Sequence, residues 1–201
     1  MSLIEAKYTR MAVHAFGLRT KRSLIASLGK KEFNFDSVVE SEDFFNQLAR
    51  NWMVKEGARH VVLASETTRK DIQRVLISAQ QEEFMPVSEI IKKLRNITVI
   101  NRNRAKVIAR TETHNASMYA SEETAKAIAR EQDAPMLKKW VPAEDERTRI
   151  NHAEMAGVDP IALDADFTVG GRKMSRPSDP RGGASNVINC RCVLVYEFEK
   201  E

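Results

Sequence analysis

The sequence predicts an α+β fold: a helical N-terminal region, then a small α+β domain with one long helix, short strands and a long Gly/Pro-rich loop. Three observations carry that prediction. Apolar residues recur at spacings of three and four through the first half, and residues 104–130 are alanine-rich with neither Gly nor Pro. Beyond Pro135 the pattern changes to short β-branched or aromatic runs separated by glycine and proline.

The elements follow in order. Over residues 43–59, Phe44, Phe45, Leu48, Ala49 and Trp52 fall on one stripe of a helix. Thr67 or Thr68 is placed to cap the next, which carries Ile72, Val75, Leu76 and Ala79. Pro86 interrupts, and Ser88 is placed to cap a shorter helix bearing Ile90, Ile91 and Leu94. Residues 97–100 are a brief β-branched stretch before Arg102-Asn103-Arg104. The helix over 104–130 is the longest expected. Ile108, Glu112, Ala116, Tyr119 and Ala127 lie near one side of it, so Glu112 is set among core positions. An unpaired buried carboxylate costs on the order of 3–5 kcal/mol, and a bidentate guanidinium is the usual remedy. Arg147 or Arg149 is the expected partner, which makes Glu112 architectural; the alternative is a general acid or base.

After Pro135, residues 138–141 with Trp140 read as a short strand. Residues 145–156 read as a short helix ended by Gly157 in the left-handed C′ position. Residues 167–169 and 192–198 are strand-like, and 170–185, with four glycines and two prolines, read as a long irregular loop. The expected division is a helical region over residues 1–98 and a second domain over 99–201.

At 42% hydrophobic and 30% charged, the chain can bury a core and is too apolar for intrinsic disorder. No run approaches 18 apolar residues and the N-terminus lacks the order of a secretory signal, so a cytoplasmic product with no membrane partner is expected. The net charge of +4 is mild, but its distribution is uneven: no acidic residue opposes the basic ones between residues 7 and 31. Lys21, Arg22, Lys30 and Lys31 are candidate phosphate contacts, the alternative being an ordinary solvated surface.

Cys190 and Cys192 form no disulfide framework. Alternation along an extended segment points both thiols to one face and Arg191 to the other. With His152 folded over them they would supply three ligands to a structural zinc, with the fourth from His114, Asp145 or water; the alternative is two packed apolar cysteines. His152-Ala153-Glu154 with the two cysteines also has a superficial likeness to the zinc deaminase signature. The cysteines are one residue too close for it and follow Asn189 rather than Pro. No His-Glu-x-x-His, P-loop or Gly-x-Ser-x-Gly is present.

Several motifs in one order are more specific than any alone. Arg104-Ala105 precedes Arg110-Thr111-Glu112, and Trp140 precedes Asp145-x-Arg147-Thr148 and His152. Gly157, Phe167, Pro177-Ser178-Asp179-Pro180 and Asn189-Cys190-Arg191-Cys192 come after them. Together they resemble the phage Mu protein F-like domain of minor head proteins over about residues 100–196. The resemblance implies a Mu F-like domain at 99–201 in which Arg110, Thr111, Glu112, Asp145, Arg147, Thr148 and Asn189 form a structural motif. It also implies a bacteriophage or prophage head-morphogenesis protein that binds portal and capsid proteins, and phage DNA in some roles. Such a protein is made in the host cytoplasm, ends in the virion at the head interior or portal vertex, and takes part in capsid assembly and DNA packaging or ejection without bond-making chemistry. The rival classes are a metal-dependent enzyme acting on nucleic acid, deaminase- or nuclease-like, and a simple DNA-binding module.

Overall fold

The computed structural model describes residues 42–56, 66–81, 85–97 and 102–199. The basic segment with Lys21, Arg22, Lys30 and Lys31 lies outside them. The chain is α+β. Helix α1, Glu42–Lys55, buries Leu48 and Trp52 from its apolar stripe. Helix α2, Glu66–Gln81, begins a residue before Thr67, so the two threonines lie in its first turn rather than at its cap. Helix α3, Val87–Arg95, is capped at Pro86 with no side-chain hydrogen bond; Ser88 is already inside, because Pro suits a helix start where its missing N–H is not needed.

Helix α4, Arg102–Glu131, runs 30 residues, about 45 Å at 1.5 Å per residue. It is the spine of the molecule. Residues 117–122 are buried without a break, so its centre is enclosed on all sides rather than along one stripe. Small side chains permit this: Ala105, Ala109, Ser117, Ala120, Ser121 and Ala125 let neighbouring elements approach closely. Helices α1 and α3 pack on it, and the sheet covers it through strand β5. No helix among the described residues is long and apolar enough to cross a membrane.

Strand β1, Met136–Val141, turns Met136, Lys138 and Trp140 inward by simple alternation. The Asp145 region does not become helix as expected. Asp145 Oδ1 accepts a hydrogen bond from the Arg147 amide (3.0 Å) and the Asp145 carbonyl accepts one from the Thr148 amide (2.9 Å), a local turn that competes with helix and delays α5 to Ile150–Ala153. A 3₁₀ turn, Glu154–Gly157, comes next and is capped by Val158; Gly157 does not take the left-handed conformation assigned to it.

Strand β2, Ile161–Ala162, β1 and β5, Val193–Phe198, form an antiparallel sheet in the order β2-β1-β5, with Trp140 opposite Leu194 and Lys138 opposite Tyr196. The expected irregular loop is instead structured. Strand β3, Phe167–Val169, turns back through Gly170 (φ 54°) and Gly171 (φ 75°) into β4, Arg172–Met174. Positive φ at both central residues is the primed turn that suits the right-handed twist of a hairpin. A 3₁₀ turn, Pro180–Gly182, and helix α6, Ala184–Val187, complete the segment.

Candidate functional site

Two buried polar clusters stand out among the described residues. The first is built on Glu122, which is 2% exposed at the middle of α4. Lys138, inward-facing on β1 and fully buried, donates to Glu122 Oε1 at 3.1 Å and to the Ser175 carbonyl at 2.8 Å. Arg176, from the turn after β4, donates to Glu122 Oε2 at 3.3 Å and pairs closely with Glu56 just beyond α1. Its guanidinium carbon also lies 5.2 Å from the centre of the Tyr119 ring. Burial opposes the Arg176 charge, but Glu56 and Glu122 outweigh it and hold its pKa above the usual value. For Lys138 burial wins: its pKa falls although Glu122 pulls the other way.

Asp179 extends this cluster. It caps the 3₁₀ turn by accepting from the Arg181 amide (2.9 Å) and also accepts from the Ser175 amide (2.7 Å). Arg181 bridges Asp179 and Asp166, with contacts of 2.7 and 2.8 Å. Burial raises the Asp179 carboxyl, yet Arg181 and the two amides hold it below the ordinary carboxylate range. An open cleft of about 470 Å³ runs past Glu56, Tyr119, Glu122, Arg176, Asp179 and Arg181. Many of its charged walls are paired with one another, Arg176 with Glu56 and Glu122 and Arg181 with Asp166 and Asp179, an arrangement suited to holding elements together.

The second cluster joins α5 to the approach to β5. His152 is 1% exposed, Cys190 4% and Cys192 2%. His152 Nδ1 lies 3.3 Å from Cys192 Sγ and 3.7 Å from Cys190 Sγ, and the three candidate ligand atoms all fall within 4.8 Å of one another. Trp140 meets the imidazole edge to face, 5.6 Å between centres and 89° between planes, which fixes the ring's orientation. Cys192 is drawn below the usual thiol range, first by a hydrogen bond from the Cys190 thiol and then by His152, against its burial. Cys190 moves above the usual thiol range through that same bond and through burial.

Around this core stand residues of the expected motif. Arg191, on the opposite side from the thiols, pairs with Asp145, its second nitrogen at 2.6 Å from Oδ1. That pairing holds the Asp145 carboxyl well below the usual carboxylate range. Asn189 takes a left-handed backbone (φ 56°), which Asn tolerates, and its amide donates to Thr111 Oγ1 at 3.1 Å. Arg149 donates to the Ile188 carbonyl. Thr148 Oγ1 donates to the Ala143 carbonyl, closing the turn that Asp145 begins. Arg110 is exposed on α4.

Glu112 is buried as expected, at 1% exposure; Arg147 is exposed and contacts Asp145 at 3.4 Å, and Arg149 donates to the Ile188 carbonyl. Glu122 is a second buried carboxylate on the same helix, with Lys138, Arg176 and Lys126 within 4 Å. Of the fourth ligands considered for zinc, Asp145 is held by Arg191, and His114 Nδ1 faces the Ser178 hydroxyl at 3.3 Å. Glu154, the acid a deaminase would need, is exposed. Sequence reasoning missed Glu122, Lys138, Arg176 and Glu56. Only Lys138 left a signal, since it shares the inward face of β1 with Trp140.

The chain is 30% identical over 108 residues to NAD(+)--arginine ADP-ribosyltransferase EFV of Enterococcus faecalis, an alignment that covers 54% of this chain and 22% of that protein. The chain therefore spans about a fifth of the length of this curated relative. No solved structure matches. The family described as phage Mu protein F like protein matches residues 70–195, from within α2 into β5, and takes in the His152, Cys190 and Cys192 cluster and all of the Glu122 cluster except Glu56. With more than half its length so matched, the chain belongs to the phage Mu protein F like family of phage head morphogenesis proteins.

Proposed function

We propose that this chain is a minor head protein that binds the portal and capsid proteins and takes part in head assembly and in DNA packaging or ejection, acting by binding and scaffolding. The family match over residues 70–195 is the observation that carries this reading. The interior agrees with a scaffold: Glu122 and Glu56 together offset Lys138 and Arg176, and Arg181 in the wall of the adjacent cleft is paired with Asp166 and Asp179. In this reading Thr111, Asp145, Arg147, Thr148 and Asn189 have structural roles, holding the Asn189-Cys190-Arg191-Cys192 segment against α4 and α5. Glu112 and Arg110 belong to the same framework, and Lys21, Arg22, Lys30 and Lys31 are the phosphate contacts if DNA is touched.

The activity named for the Enterococcus protein is not carried across, because most of that protein lies outside the alignment. The test is to purify heads from an induced lysate, quantify this chain against the portal protein by mass spectrometry, and co-sediment the purified chain with portal rings. The expected result is a few copies per head and co-sedimentation with the rings. Absence from purified heads together with no portal binding would overturn the proposal.

A further inference from the structure

We propose that His152, Cys190 and Cys192 form a structural zinc site that clasps helix α5 to the base of strand β5. The inference is independent of the head-protein reading. The three side chains come from segments 38 and 40 residues apart in sequence, and all are more than nine-tenths buried. In a tetrahedral site with Zn–S near 2.3 Å and Zn–N near 2.0–2.1 Å, neighbouring N and S ligands stand about 3.5 Å apart. The observed separations of 3.3 and 3.7 Å bracket that edge.

Both sulfurs converge on the same imidazole nitrogen, so the three atoms face one small shared volume. A cation between the three atoms satisfies all of them at once, and a soft thiolate pair with one imidazole selects zinc over hard oxygen-loving ions. Among the described residues no fourth protein ligand joins the three, with Asp145 on Arg191 and His114 Nδ1 on Ser178, so the fourth position would fall to water.

The surroundings are built to present the ligands. Trp140 orients the imidazole, while the Asn189–Thr111, Arg149–Ile188 and Arg191–Asp145 contacts pin the cysteine segment on either side. The metal would close the excursion that contains β2, the β3–β4 hairpin and α6, so its binding free energy would appear as folding stability.

The experiment uses the full chain without a His tag. Purified protein is given stoichiometric zinc, desalted and analysed for metal, and a chelator-treated sample is titrated with Co(II). The expected results are about one equivalent of retained zinc, two thiols shielded from Ellman's reagent until chelator is added, and thiolate-to-cobalt charge-transfer absorption with tetrahedral ligand-field bands. The Cys190→Ser/Cys192→Ser variant should lose the charge-transfer band even if cobalt adheres elsewhere. Should that variant not fold, X-ray absorption on the zinc-loaded wild type decides by counting two sulfur ligands. No retained zinc and no charge-transfer band in the wild type, a disulfide between the two cysteines, or zinc bound without sulfur would each overturn the site.

Discussion

Glu122 is held by two buried cations from different elements, Lys138 and Arg176, at 3.1 and 3.3 Å, with Lys126 farther off at 3.8 Å. Truncating it leaves both charges in the interior with too little to balance them. We expect Glu122→Ala to cost about 3–5 kcal/mol in urea unfolding. A loss below about 0.5 kcal/mol would show that the cations relax into water and the network is incidental. The sequence shows why Glu112, rather than Glu122, stands out on first reading. Both are carboxylates in an alanine-rich helix and both are buried, at 1% and 2%. The choice between them depends on partners brought in by β1 and by the turn after β4, and helical periodicity holds no information about that meeting. The cysteines are easier to read: alternation along an extended segment suffices to put two thiols on one side and Arg191 on the other, and the structure has them so.

The elements whose signal is local are legible, and those shaped by side chains capping the backbone are not. An uninterrupted run of good helix formers places α4 to within two residues at each end, Arg102–Glu131 against the expected 104–130. Strand β3 falls on the residues expected, Phe167–Val169. The hairpin it begins looks irregular in sequence because β4 has only three residues, two of them charged, although Gly170-Gly171 is itself a primed-turn pair. Those two glycines make a matched test. Both have positive φ, so a Cβ at either is strained by about 1–2 kcal/mol. A Cβ at Gly171 meets nothing within 4 Å, whereas one at Gly170 collides with the Asn151 amide, which donates to Asn186 Oδ1 at 2.7 Å. Gly170→Ala should therefore destabilise the chain more than Gly171→Ala, by roughly another 0.5–1.5 kcal/mol for the disturbed hydrogen bond. Equal losses from the two variants would mean that Asn151 gives way freely and does not tie α5 to α6.

Across the whole molecule, two carboxylates that brace the C-terminal half sit below their ordinary pKa, Asp145 through Arg191 and Asp179 through Arg181 and two amides. The folded chain therefore holds fewer protons than the unfolded chain in acid. Their contribution to stability is complete above the unfolded aspartate value of about 3.9 and is lost as pH falls through the lower folded values. The melting temperature should drop as pH is taken from about 5 towards 3, and less steeply in Asp179→Asn. Identical slopes in variant and wild type would assign the acid sensitivity to other groups. The interior network carries a further consequence for how the molecule can be divided. Glu56 and Arg176 stand 120 residues apart, and Glu56 with Glu122 balances Arg176 with Lys138, two negative charges against two positive. The residue that follows α1 thus lends the C-terminal half its second counter-ion. A chain cut down to α4 and the elements after it would have surplus positive charge at its centre and would have to admit water, capture an anion or shed the proton of Lys138.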